Sequence, residues 1–348
     1  MKKLSWFNKT MYFFNIVLAV LTFLAYVLPF LAPKFFPFLS VLTLILPLFL
    51  ILNALYFLFW ALQLKKQVFL SGLVLLLGIT FINKFYKFSS AELPSEEKDF
   101  VIMSYNVRLF NLFKWIGDED VPATILTFIN EENPDILCIQ EFSSSANIDL
   151  KVYKHRYIFM QGDKIKTGQA IFSKFPIIND GHLDLPSSNN SVIFADIKKG
   201  KDIIRIYNMH LQSIKISPDV NEMSENIEEV NQQKSLVVAR RISRAFRKQQ
   251  QQAEIIMEHK KGCDYPIIIC GDMNNSAFSY VYRNIRGTLQ DTFEEAGKGF
   301  GQTYDFKYYP ARIDYIFADP TMKVKSFTNF SEFNHSDHFP ITARLSID

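Results

Sequence analysis

Residues 10–33, 35–64 and 67–83 of this chain contain no Asp, Glu, Lys or Arg and are packed with Leu, Phe, Val and Ile. Runs of that kind cannot supply an aqueous surface, so this part of the chain needs a solvent other than water. At a rise of about 1.5 Å per residue, the first two are long enough as helices to cross a hydrocarbon core of roughly 30 Å, while the third relies on its flanking residues. The expectation is a membrane anchor over residues 1–83, with three transmembrane helices at about 10–33, 37–64 and 67–83. A soluble helical domain would need a polar face that these runs lack. A cleavable signal peptide behind Lys2 and Lys3 would not be followed by two more apolar spans.

Residues 84–98 are polar, mixed in charge and interrupted by Pro94, which reads as a linker to a domain over 99–348. The net charge of +3 conceals a split: residues 1–98 hold nine Lys against three acids, and residues 99–348 hold 29 Lys+Arg against 32 Asp+Glu, or −3. A generic clamp for nucleic acid would carry a clear positive excess, and here the excess belongs to the apolar part. With Lys2, Lys3, Lys9, Lys65 and Lys66 on the cytoplasmic side, Lys34, Lys84 and Lys87 fall outside. The chain then reads as an integral protein of the cell (inner) membrane, with its large domain on the non-cytoplasmic face. Cys138 and Cys270 lie inside apolar runs and Cys263 in a turn, so no disulfide framework emerges. Neither CxxC nor HExxH occurs, which leaves structural zinc and zincin chemistry without support.

Within 99–348 short apolar runs alternate with helical patterns, which predicts α/β or α+β packing around a large buried sheet. Five of these runs end in polar residues: VIMSYN at Asn106, DILCIQE at Glu141, IIRIYNMH at His210, PIIICGDMN at Asp272 and Asn274, and RIDYIF with Asp314. HSDHFP adds Asp337 and His338. Loops at strand ends can aim several polar groups at one point, and acids, amides and histidines so gathered suit metal-assisted phosphate chemistry. Gly271 is expected to turn the chain so that Asp272 and Asn274 share one side of a loop, although an Asp after a strand more often caps a helix. Period-two alternation turns Arg312 and Asp314 away from Tyr315 and Phe317, and Asp314 could hold His338 in one tautomer. SDH before Pro340 also fits an Asx-type turn, and a zinc pair of His335 and His338 lacks a third ligand at fixed spacing. Glu141 and Asp337 are hard oxygen donors of the kind Mg²⁺ or Mn²⁺ prefers.

Arg240, Arg244 and Arg247 form one stripe of a helical segment whose other face carries Ile242, Ala245, Phe246, Ala253 and Ile256. Such a stripe is commonly a solvated face; the functional alternative is contact with substrate or anionic lipid. An acidic run, 219–229, precedes it, and the run Gln249–Gln252 is too short to carry any meaning.

Taken together, Asn106, Gln140-Glu141, the NMH ending at His210, GDMN at 271–274, RIDYIF at 312–317 and SDH at 336–338 resemble the endonuclease/exonuclease/phosphatase superfamily. TGQAIFSKFPI is similar to that group's GxAIxS…PI strand, with Gln169 where an apolar or Gly residue is more usual. The resemblance covers essentially all of 99–348. It implies a four-layer sandwich, two mixed β-sheets flanked by helices, and Mg²⁺-dependent (or Mn²⁺-dependent) phosphoester hydrolysis. It further implies that Asn106, Glu141 and Asp337 help bind metal, that Asp272 and Asn274 handle water and phosphate, that Asp314 supports His338, and that His210 is the phosphate-side histidine. Arg108 joins Arg240, Arg244 and Arg247 as a substrate-binding candidate.

The expected protein is therefore a membrane-anchored phosphoesterase acting on a phosphodiester in nucleic acid or a lipid head group. A phosphomonoesterase for sugar or inositol phosphates and an inactive binding module are the alternatives. No degenerate motif points to the module, and three spans without an intramembrane charge offer a transporter no ion pathway. The sequence identifies a lipid bilayer as partner and no protein partner.

Overall fold

The computed structural model describes residues 4–117, 120–146, 148–162, 166–186, 188–214 and 232–347, with the side chains of 232–234 excepted. Its apolar N-terminal unit contains α1 (Trp6–Val27), α2 (Leu46–Leu62), α3 (Val68–Leu77) and α4 (Ile79–Phe85). Helix α1 has 22 residues, about 33 Å at 1.5 Å per residue, and its N-cap Ser5 accepts from the Asn8 amide. Among the described residues, the stretch Trp6–Phe30 is the single continuous helix long and apolar enough to cross a membrane. The 35–64 run instead opens with a 3-10 turn at Leu39–Leu44 before the 17 residues of α2. Helices α3 and α4 pass the same test only as a pair bent by 65°. Polar side chains tie the bundle together. Asn15 donates to Ser71 at 2.9 Å and accepts from the Trp60 indole at 2.9 Å, and Asn53 donates to Thr22 at 2.9 Å.

The strands are β1 (Phe100–Asn106), β2 (Ile136–Phe142), β3 (His155–Gln161), β4 (Thr167–Ser173), β5 (Ile177–Leu183), β6 (Ser191–Lys199), β7 (Asp202–His210), β8 (Ile267–Asp272), β9 (Gln290–Asp291), β10 (Asp314–Ala318), β11 (Met322–Asn329) and β12 (Ile341–Ile347). They form two six-stranded mixed sheets, ordered β11-β12-β1-β2-β4-β3 and β5-β6-β7-β8-β10-β9. Alternate residues of the paired sheets, among them Ile102, Ile136, Ile171, Ile206, Ile268 and Ile316, fill the core between them. The outer face of the first sheet packs on α5 (Val121–Glu132). That of the second packs on α6 (Gln232–Lys261) and α7 (Tyr280–Arg286), with α8 (Thr292–Ala296) near the β9 edge. This is the four-layer sandwich the sequence predicts.

Residues 84–98 do not hang free as a linker would. Lys87 and Gly299 exchange backbone hydrogen bonds of 2.9 Å, the Leu93 amide donates to the Lys325 carbonyl, and Glu96 pairs with Lys325 at 2.6 Å. The apolar unit is docked as well: Phe278 belongs to its core, the Phe81 and Phe278 rings lie 6.2 Å apart, and Val41 and Leu44 pack on Ile242 and Phe246 of α6.

Candidate active site

Period two delivers the site. On β1, β2, β7, β8 and β10 the residues facing the opposite sheet are apolar at one end and polar at the other, ending in Asn106, Gln140, His210, Asp272 and Asp314. The parallel pairs β1/β2 and β7/β8 bring their C-terminal ends to one edge, where Asn106 is in register with Gln140 and His210 with Asp272. Antiparallel β10 places Asp314 beside Asp272. Glu141 has the wrong parity for this face. A register shift between Ile139 and Phe142 and a left-handed φ of 50° at Glu141 turn its carboxylate inward, 3.8 Å from His210 Nε2.

Asp272 is the hub. Its Oδ2 accepts from Asn106 Nδ2 at 3.0 Å and Asn274 Nδ2 at 2.9 Å, and its Oδ1 accepts from the Asn274 amide at 2.8 Å. Nε2 of His338 lies 3.7 Å from Asp272 Oδ2, and Nε2 of His210 lies 3.6 Å from it. On its other side His338 Nδ1 meets Asp314 Oδ2 at 2.9 Å, as the sequence led one to expect. Ser336 Oγ accepts from the His338 amide and donates to the Asn106 carbonyl, while Thr303 Oγ1 accepts from the Ile313 and Asp314 amides. Asp337 is held by Arg108 Nε at 3.4 Å, and the Arg108 guanidinium lies 4.4 Å over the exposed Trp115 ring.

Two details differ from expectation. Gly271 does not make the turn: it lies within β8 at φ 122°, where a Cβ would sit 2.1 Å from the Met209 carbonyl oxygen, so close strand approach is what requires glycine. The turn itself falls at Asn274, φ 53°. Asn274 Nδ2 donates to the Leu211 carbonyl at 3.0 Å as well as to Asp272, so both of its side-chain hydrogens have partners within the protein.

Electrostatics separates the two histidines. Burial works against a charge on His338, but the carboxylates of Asp314 and Asp272 override it and push its pKa up to about 10. Burial wins at His210 and lowers its pKa, with Asp272 only partly opposing. Burial raises Asp272 to about 6, countered in part by His338, and likewise raises Glu141. A buried cluster of hard oxygens whose charge is under-compensated fits a divalent cation. Ligand atoms of Asp272, Asp314 and His338 lie within 4.8 Å of one another, at the inner side of this cluster.

Arg240, Arg244 and Arg247 are exposed on α6, and among the described residues none pairs with a site carboxylate; Arg244 Nε donates instead to the Arg240 carbonyl. The acidic run 219–229 lies outside the described residues. Sequence reasoning passed over the polar rungs beneath the site. Gln140 donates to Asn208 at 2.6 Å and to Ser104, and Asn208 donates to the Ile139 and Ala170 carbonyls, pinning the sheets together. Gln169 does the same toward Ser191 Oγ at 2.8 Å, which accounts for a polar residue there. Polar residues at inward positions of apolar strands were the available signal.

The model of the Endonuclease/Exonuclease/phosphatase family matches residues 103–338. A domain of unknown function matches residues 8–85, ending where α4 ends. No protein of curated function matches the chain. Several solved structures share the fold. An endonuclease/exonuclease/phosphatase from Beutenbergia cavernae is 16% identical with a TM-score of 0.51, covering 72% of each chain. The catalytic domain of human Nocturnin is 17% identical with a TM-score of 0.53, covering 76% of this chain and 98% of that one. A mannosyl-6-phosphatase from Bacteroides thetaiotaomicron is 18% identical with a TM-score of 0.50, covering 71% of this chain and all (100%) of that one.

Proposed function

Because the chain belongs to the Endonuclease/Exonuclease/phosphatase family of phosphoester hydrolases, we propose that it is a membrane-anchored, divalent-metal-dependent phosphodiesterase. The observation that carries this reading is the hydrogen-bonded arrangement of Asp272, Asn274, His338 and Asp314, with His210 on its flank. Asn106, Glu141 and Asp337 would hold Mg²⁺ or Mn²⁺, which when bound polarises a phosphoryl oxygen. Asp272, fixed by three donated hydrogen bonds, accepts a proton from water as the water oxygen bonds phosphorus and the phosphorus–leaving-oxygen bond breaks. The His338 imidazolium, locked by Asp314, faces the charge that builds on the phosphoryl oxygens. His210, neutral, lies beside Asp272 and Glu141 as a hydrogen-bonding group.

Packing favours a lipid head group as substrate. Asn274 is followed four residues later by Phe278, which lies in the core of the apolar unit. Four residues span at most about 14 Å, so the site stands within that distance of the bundle. Lipid phosphates occupy a layer roughly 5–8 Å deep outside the hydrocarbon. The −3 balance of residues 99–348 gives no general attraction for duplex. The test is to reconstitute the full chain in phospholipid vesicles with Mg²⁺ and follow head-group release beside cleavage of DNA and RNA. Head-group release abolished by chelator supports the reading. Cleavage of nucleic acid alone moves the substrate to that class, and equal turnover in chelator removes the metal.

A further inference from the structure

Two of the glutamines at 249–252, Gln249 and Gln252, carry more than their sequence suggests. Gln249 is fully buried on α6, facing the two loops that leave β7 and β8 beside the site. Its Nε2 donates to the Gln212 carbonyl at 2.7 Å and the Asn274 carbonyl at 3.0 Å, with the Met273 carbonyl at 3.4 Å. Three carbonyl oxygens can only be met by the NH₂ end of the amide, so its orientation is fixed by its partners. Oε1 in turn accepts from Asn275 Nδ2 at 2.7 Å. One turn further along, Gln252 Oε1 accepts from the Gln212 amide at 2.9 Å, so α6 holds both backbone polar groups of Gln212.

The chemistry explains why a donor is needed there. Beyond His210 and Asp272 the parallel strands end, and the departing loops point carbonyls at one another. Without a shared donor these half-buried carbonyls would repel and seek other partners. We propose that Gln249 is a positioning residue for hydrolysis: by bridging the Gln212 and Asn274 carbonyls it sets the loop from which Asn274 holds Asp272. Gln249 is itself fully buried and acts through its bonds to Gln212, Met273, Asn274 and Asn275. This rests on Asp272 and Asn274 being the catalytic machinery proposed above.

The test uses the full chain in vesicles with two variants. Gln249→Leu removes both ends of the amide. Gln249→Glu keeps the acceptor for Asn275 and replaces only the donor, so it remains informative where the leucine variant folds poorly. Both should lower kcat by about 10–100-fold, the range that small misplacements of catalytic groups cost, with KM held within about threefold. Independently of activity, backbone hydrogen exchange at Asn274, whose amide is bonded to Asp272 Oδ1, should accelerate at least about tenfold while the β8 amides stay protected. A purely structural role would instead loosen α6 and β8 together and leave kcat of the folded fraction unchanged. That result, or an unchanged Asn274 exchange rate, overturns the proposal. Should the wild-type chain prove inactive on every phosphoester, the exchange measurement still decides whether Gln249 sets the loop.

Discussion

His338 and His210 approach the same carboxylate oxygen, at 3.7 and 3.6 Å, yet their pKa values shift in opposite directions: Asp314, 2.9 Å from His338 Nδ1, and Asp272 outweigh burial at His338, whereas burial outweighs the nearby carboxylates at His210. In metal-free protein the His338 ring should remain protonated until about pH 10, and Asp314→Asn should bring its titration well down; NMR of the ring protons reads both. Since its folded pKa is raised above that of the unfolded chain, the stability it contributes is complete below about pH 6.5 and is lost as pH rises toward 10. The thermal midpoint in chelator should therefore fall across that interval in wild type and flatten in the Asp314→Asn variant. For activity, Asp272→Asn and His338→Ala should each reduce turnover by at least about 10²-fold with the circular-dichroism spectrum unchanged. Either variant at full rate would rule out the mechanism. The meeting of Asn106, His210, Asp272 and Asp314 was readable in advance, because each closes or opens an apolar strand run; which histidine carries the proton was not, since it depends on the carboxylates packed around each ring. Glu141 was not readable from parity, since a bulge with φ 50° reverses it, and Gln249 was hidden in a run whose meaning lies in contacts with residues 212 and 274.

Helix α6 serves two neighbours at once. Gln249 and Gln252 face the site loops, Gln250 Oε1 accepts from the Lys34 amide, and Ser243 donates to the Pro37 carbonyl in the turn between α1 and α2. Its exposed arginines at 240, 244 and 247 lie on the helix whose apolar face packs on Val41 and Leu44 of that turn, which favours anionic head groups as their partner. Replacing all three with glutamine should raise KM for a vesicle substrate and weaken its salt dependence, with kcat little changed. An unaltered KM would make the stripe a solvated face. In β8, Gly271→Ala forces a non-glycine residue to φ 122° against the Met209 carbonyl. The backbone conformation alone should cost about 1–3 kcal/mol, read as a fall in thermal midpoint. Hydropathy located the apolar helices but not their breaks: the 3-10 turn at 39–44 and the 65° bend between α3 and α4 interrupt runs that look uniform.

At the scale of the molecule, the apolar bundle has two distinct ends. Asn8 donates to Gln63 at 2.9 Å, so the start of α1 and the end of α2 share one end of the bundle, with Lys9, Lys65 and Lys66 near it. At the other end Lys34 meets Gln250, the Phe30 ring lies 4.4 Å from the Arg283 guanidinium, and the Lys84 carbonyl accepts from Arg312 at 3.1 Å. That end faces the catalytic domain. Residues 84–98, read from composition as a linker, lie along the domain through the Lys87–Gly299, Leu93–Lys325 and Glu96–Lys325 contacts, which leaves little freedom to swing away. If the bundle crosses the membrane, its basic end favours the cytoplasm, and the active site then opens on the other side, beside the outer surface of the bilayer. Protease added outside intact spheroplasts should digest the domain over 99–348 and spare the apolar unit. Complete protection, with digestion only after lysis, would place the site on the cytoplasmic side and make inner-leaflet head groups the accessible substrate.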